Sequence, residues 1–264
     1  MTYSLLREID YLLAPRGCAG CLQPDCVLCH TCQQQLDRWV ERDFPSSLIC
    51  LGALFSCARY QGPVRHAILT WKDHGDREVT QYFASALARL ILRTLRVTGV
   101  SPDNPLVLIP APSSRSSLRE RGWYPMRELC TQLAALLSSY GFHVHVCCAL
   151  HQKRGSHKSV TGSVRQRQSK SRTYQINRRQ LQFLFDAQAL CSPSLSLPLS
   201  SSSPSSSPSS PSSGSSSQSL LRSPFVMVID DICTTGSTVV GCIRSLRQAG
   251  VPVHAAFTLA SVSG

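Results

Sequence analysis

The chain has 264 residues, 42% of them hydrophobic, and carries a formal net charge of +12. That length suits one α/β domain plus a small additional module. No apolar run approaches the ~20 residues that a bilayer-spanning helix needs, and the best helical candidate, residues 83–95, carries Arg89 and Arg93.

In chain order, Arg7, Glu8 and Asp10 interrupt any apolar start, so no secretory leader is expected. Cys18-Ala-Gly-Cys21 comes next, followed by Cys29-His-Thr-Cys32. Two Cys-x-x-Cys pairs can clamp a tetrahedral metal, and four thiolates suit Zn²⁺. The short gap predicts a small knuckle with Cys18, Cys21, Cys29 and Cys32 as ligands. Cys26 and His30 lie in the same segment and leave that set open, with Cys26 the first substitute. Thirteen cysteines, several in apolar surroundings such as Cys130, Cys147 and Cys148, point to a reducing, cytoplasmic location rather than to disulfides.

Residues 1–50 thus form an N-terminal segment carrying the knuckle, and 51–264 a larger domain. Within it, 53–60 is predicted as a strand, and 63–72 and 78–95 as helices. Residues 106–109 read as a short buried strand. Residues 126–139 form a helix with Leu129, Leu133, Leu136 and Leu137 on one face, ending near Gly141. Strands are expected at 142–150, 181–185, 225–230 and 253–260. Strands alternating with helices imply a mainly parallel sheet flanked by helices.

Two segments break the pattern. From Leu129 to Phe185 there is no Asp or Glu, and nine basic residues fall between Lys153 and Arg179. The segment 151–179 therefore reads as a basic loop suited to phosphate: a pyrophosphate group or a nucleic-acid backbone. Residues 192–219 contain 18 Ser and five Pro. Such a stretch has no apolar surface to bury and is expected to be a disordered insertion inside the domain.

The segment with the clearest chemistry is Phe225-Val-Met-Val-Ile-Asp-Asp-Ile-Cys-Thr-Thr-Gly-Ser-Thr238. Val226 to Ile229 is a continuous β-rich run, as in a strand covered on both faces. Asp230 and Asp231 sit at its carboxyl end, where open α/β sheets collect ligands. Two carboxylates there can accept hydrogen bonds from a vicinal diol or help hold a divalent cation. Thr234, Thr235, Gly236, Ser237 and Thr238 supply hydroxyls and a close backbone approach at a helix start, which suits a phosphate. Val239, Val240, Ile243 and Leu246 then share one helical face, and Gly250 stops the helix. No Gly-x-x-x-x-Gly-Lys-Ser/Thr is present, so a P-loop is excluded.

Val-Ile-Asp-Asp-Ile-Cys-Thr-Thr-Gly-Ser-Thr resembles the phosphoribosyl-pyrophosphate (PRPP) motif of type I phosphoribosyltransferases. With a Cys-x-x-Cys knuckle ahead of it, the chain resembles the ComF family, competence-associated proteins related to amidophosphoribosyltransferase. Tyr60-Gln-Gly-Pro-Val64, Trp71-Lys72-Asp-His-Gly75-Asp76, Ile109-Pro-Ala-Pro112 and Leu118-Arg-Glu-Arg-Gly122 resemble further motifs of that family. The resemblance spans nearly the whole chain except roughly 187–222. One departure is Trp123-Tyr124-Pro125, where the family often has Phe-Asn-Gln.

The resemblance implies a type I phosphoribosyltransferase-like fold with a small N-terminal zinc knuckle of four cysteines. It also implies a pentosyl-transfer enzyme that displaces pyrophosphate from PRPP by a nitrogen acceptor, with Mg²⁺ as cofactor. Asp230 and Asp231 would hold the ribose, and residues 234–238 the 5′-phosphate. The turn from Ala111 to Arg115, through backbone N–H groups and Arg115, would hold pyrophosphate, with Arg119 and Arg121 as further ligands. Asp231 is the candidate general base by position alone. The alternative is a non-catalytic competence or DNA-uptake accessory protein that binds single-stranded DNA through the basic loop, with competence proteins as further candidate partners.

Overall fold

The structure, a computed structural model, describes residues 16–152, 174–182 and 223–262. Most of the basic segment 151–179 and the whole of 192–219 lie outside the described residues. In chain order the named elements begin with α1 (His30–Gln35), β1 (Val40–Asp43), β2 (Ala53–Arg59), α2 (Gly62–Asp73), a 3₁₀ turn (Arg77–Val79) and α3 (Thr80–Val97). There follow β3 (Leu106–Pro110), α4 (Arg115–Arg121), α5 (Pro125–Ser139), β4 (Val144–Val146), β5 (Leu150–Gln152) and β6 (Tyr174–Ile176). The chain closes with β7 (Phe225–Cys233), α6 (Ser237–Gln248) and β8 (Ala255–Ser261).

The fold is a mixed α/β arrangement around a six-stranded sheet of order β1-β2-β8-β7-β3-β4. Within this sheet, among the described residues, only the β1–β2 pair is antiparallel. Alternation along β7 explains why the sheet needs cover on both sides. Met227 and Ile229 join one apolar cluster with Leu129, Leu133 and Leu137 of α5 and Phe83, Leu87 and Ile91 of α3. Val226 and Val228 join the other, with Val239, Cys242, Ile243 and Leu246 of α6. A strand apolar at every position is the local signature of that two-sided burial.

Helix α2 ties the N-terminal module to the sheet. Val64, Ala67, Ile68 and Trp71 are buried at helical spacing. Trp71 is fully buried, meets Phe83 and Trp123 edge-on at 5.3 and 5.9 Å, and donates its indole N–H to Thr80 Oγ1 at 2.9 Å.

Several elements differ from the expectation. The strand predicted at 142–150 is two strands. β4 pairs with β3 as an edge strand, and the chain then leaves the main sheet so that β5 pairs with β6. Residues 178–182 are helical, so Leu181 and Gln182 are not extended as expected for 181–185, of which 183–185 lie outside the described residues; Leu181 is buried, and a short apolar run does not by itself distinguish helix from strand. β1, with sequence Val-Glu-Arg-Asp, escapes a hydrophobicity reading because it is a polar edge strand. β7 continues to Cys233, three residues beyond the predicted end at Asp230, because β8 pairs with it as far as Cys233↔Ser261.

Among the described residues no helix is long and apolar enough to cross a membrane. Trp71→Ala should remove the packing centre of α2 and cost about 3–5 kcal/mol, read as a lowered urea midpoint with an unchanged denaturant slope.

Candidate functional site

The site arises where the strand order reverses. From β3 the chain crosses by α5 to β4 on one side, whereas β7 lies on the other side of β3 and leads by α6 to β8. Helices α5 and α6 belong to the two opposite apolar clusters, so they diverge from the β3–β7 boundary. This opens a crevice at the carboxyl ends of the strands, the usual ligand position in such sheets. The β3–β7 ladder stops at Pro110↔Ile229, while β7 remains paired to β8 through Cys233. Asp230 and Asp231 occupy that overhang.

A cavity of about 300 Å³ opens there. Its wall includes Asp230, Asp231, Ile232 and Thr238 from the β7–α6 segment and Ala111, Pro112, Ser113, Ser114, Ser117 and Arg121 from the segment after β3. Lys72 of α2, Met126 of α5, Gln152 of β5 and Tyr174 of β6 complete it. Gln152 and Tyr174 bracket residues 153–173, so the chain enters and leaves the basic segment at this wall.

The two acids have different environments. Asp231 accepts the Ile232 N–H on Oδ1 at 2.8 Å and pairs through Oδ2 with the Lys72 ammonium. Asp230 accepts the Asp231 N–H at 2.9 Å. Burial, reinforced by the adjacent Asp231 charge, holds the Asp230 carboxyl well above the usual carboxylate range, against the lowering by that N–H and by Lys72. The pair therefore offers two carboxyls in different hydrogen-bond settings, with protonation of Asp230 favoured by burial.

Of the predicted phosphate loop, Thr238 lines the cavity, while Thr234, Thr235 and Ser237 are exposed beside the start of α6. Gly236 caps that helix at φ +77°, and a Cβ there would lie 2.9 Å from Phe44 Cζ, so the turn requires glycine. Arg42 of β1 donates to the Thr234 carbonyl at 2.8 Å, fixing the loop from outside. Burial pushes the Cys233 thiol up, outweighing the lowering by Arg42, consistent with a packing rather than a nucleophilic role.

The turn after β3 presents mainly hydroxyls. The Ala111 N–H is taken by the Ile229 carbonyl at 2.8 Å and is not free for a ligand, which corrects that part of the predicted backbone cradle. Ser114 caps α4 by accepting the Ser117 N–H at 3.0 Å. Arg115 opens α4, Arg121 lines the cavity while paired with Asp73 at 2.7 Å, and Arg119 is exposed and outside the cavity wall. The divergent Trp123-Tyr124-Pro125 supports the frame. Trp123 packs on Trp71, Tyr124 donates to the Ala111 carbonyl at 2.9 Å, and Pro125 opens α5.

The N-terminal cysteines form the second site. One ligand atom from each of Cys18, Cys21, Cys29 and Cys32 lies within 4.8 Å of the others, an arrangement that can hold a metal ion such as zinc. Cys26 and His30 are not in that group. Cys18 Sγ accepts the N–H groups of Gly20 at 3.4 Å and Cys29 at 3.2 Å. Within the cluster the shifts oppose one another: burial raises the Cys18 thiol, but the Cys21, Cys29 and Gly20 backbone contacts outweigh it and bring that thiol down to about 6, whereas burial and the neighbouring cysteines push the Cys32 thiol up. The knuckle packs on the start of α2, where His66 Nδ1 meets the Ala19 carbonyl at 2.7 Å. Arg16 bridges to Asp76 and Glu78 beyond the end of α2.

Lys72, Ser117, Met126, Gln152 and Tyr174 were not singled out as site residues from sequence, whereas Ser113 and Ser114 fall in the predicted turn from Ala111 to Arg115. Only the pairing of Lys72 with Asp231, 159 positions away, identifies that lysine as part of the cavity. Compared with models of known protein families and with curated proteins, the chain returns no match.

Two outcomes follow. Cys18→Ser or Cys29→Ser should abolish stoichiometric zinc binding measured by elemental analysis of the purified protein, whereas Cys26→Ser should retain it. For Asp230, the raised folded-state pKa means that the native state binds this proton more tightly than the unfolded chain. The associated stability is complete below about pH 3.9, the unfolded value, and is lost as pH rises through the folded value. Asp230→Asn should therefore melt higher than wild type at about pH 8, with the gap closing towards about pH 4.

Proposed function

We propose that this chain is a phosphoribosyltransferase of the ComF type: a type I phosphoribosyltransferase fold that binds PRPP with Mg²⁺ and transfers its phosphoribosyl group to a nitrogen acceptor, releasing pyrophosphate. The observation that carries the reading is convergence on one cavity. Two adjacent acids, a Thr-bearing helix start, a Ser-rich turn and two cations, Lys72 and Arg121, meet at the strand-order reversal. A phosphorylated pentose has the matching parts: a diol for the acids, a 5′-phosphate for the loop at α6, and a pyrophosphate for the serines and Arg121.

In this reading the protein works by positioning and electrostatics. Asp231 orients the ribose hydroxyls and lies where positive charge develops on the sugar. Asp230, whose protonation burial favours, can donate as well as accept when it carries a proton. Ser113, Ser114 and Ser117 receive the departing pyrophosphate oxygens, and Arg121 offsets their charge. When bound, Mg²⁺ supplies further positive charge to the leaving group, and the two aspartates are the residues that would hold it. The four thiols would hold zinc in a structural role, clamping α2 against the sheet. No separate base is assigned, since Asp231 is given to the ribose hydroxyls in this reading.

The second reading, binding of single-stranded DNA through segment 151–179, draws on residues almost wholly outside the described structure, so it enters as the other outcome of the test. Calorimetric titration with PRPP and Mg²⁺, beside single-stranded DNA at several salt concentrations, separates them. PRPP binding is expected in wild type and lost in Asp230→Ala plus Asp231→Ala, with any DNA affinity retained. DNA binding without PRPP binding would overturn the proposal.

A further inference from the structure

Asp231 has little room for a new partner. Its side chain is 9% exposed, one oxygen is held by the Ile232 N–H, and the other faces Lys72. The partner best able to leave is Lys72, whose side chain is 27% exposed and whose ammonium ends a flexible four-carbon stem. The backbone N–H cannot move without breaking the β7–β8 ladder, which continues past it to Cys233.

Lys72 and the hydroxyls of a sugar, or a divalent cation, therefore compete for the same carboxylate oxygen. The ammonium already stands in the wall it shares with Ser113, Ser114 and Ser117. The other described cation of the wall, Arg121, already shares its charge with Asp73 at 2.7 Å, so it offsets only part of a ligand's charge. A ligand carrying several phosphate charges into about 300 Å³ requires a cation there.

We propose that Lys72 is a partner-exchanging binding residue. It neutralises Asp231 and, when the sugar hydroxyls take that carboxylate, turns to a phosphoryl oxygen of the same ligand. The inference rests on the PRPP reading of the cavity and assigns the site a residue that the sequence motifs left without a role. It gives the lysine two opposite effects. Lys72 opposes binding of a divalent cation alone, because it occupies Asp231. It favours binding of the phosphorylated ligand, because a charge-assisted contact to phosphate replaces the one it gives up.

That opposition separates the proposal from a purely structural role. With full-length Lys72→Met, Mn²⁺ alone, followed by its paramagnetic resonance signal, should bind severalfold more tightly than to wild type. PRPP with Mg²⁺, and inorganic pyrophosphate with Mg²⁺, should bind about ten- to hundredfold more weakly. Lys72→Arg, which keeps the charge, should recover most of the PRPP affinity and the weak Mn²⁺ binding. Loss of both Mn²⁺ and PRPP affinity in Lys72→Met, with a lowered melting temperature rescued equally by Lys72→Arg and Lys72→Gln, would show a structural lysine and overturn the proposal. Wild-type PRPP affinity in Lys72→Met would overturn it while leaving the PRPP reading intact. Wild-type protein that binds neither PRPP nor pyrophosphate would overturn both.

Discussion

Strand β7 is paired on both edges and covered on both faces, and that confinement dictates what its end can do. Along Phe225 to Ile229 every side chain must be apolar, because neither face nor edge reaches water. Confinement is relieved on one side only, where β3 stops at Pro110 and β8 continues. Acidic residues become tolerable at that step, and two of them sit there. The cavity, the loop at α6 and the turn after β3 are arranged around this end.

Relief is partial, and the partial burial sets the chemistry. Asp230 remains almost enclosed, so its proton is held tightly. Asp231 keeps a partner on each oxygen, one from the backbone and one from Lys72. Two identical side chains adjacent in sequence thereby acquire different partners. Placing unequal carboxyls next to a Ser-rich turn and a helix start gives the cavity distinct sub-regions for hydroxyls and for anions.

Helix α2 joins the two candidate sites mechanically. The cysteine knuckle rests on its first turn, Arg16 braces the loop after its last turn, and Trp71 anchors its inner face. Lys72 follows Trp71 directly, so the ammonium that meets Asp231 is carried by the same rigid element that a metal-loaded knuckle would hold in place. The strength of the knuckle and the position of that cation are thus properties of one helix.

Local sequence was enough to read β7 and the start of α6 because both signals are short-range: an unbroken β-rich run, two acids and a glycine-centred turn. The pair of Cys-x-x-Cys spacings was equally legible, since the four thiols that converge are the four those spacings name. The helices α2, α3 and α5 also followed from apolar periodicity, which reports one buried face regardless of what covers it. Tertiary structure alone decided the split of 142–150, because a chain leaving one sheet for another does so without a local signal. It alone decided which arginine faces the cavity, since Arg119 and Arg121 lie on one short helix yet Arg119 is exposed and Arg121 is half-buried in the cavity wall. It also closed the Ala111 N–H to ligands and brought Lys72 to Asp231. The sequence by itself determined what each segment could bury and which residues could carry charge. Which charges meet depends on strand order and helix placement, and those are set by long-range packing that no short window of residues encodes.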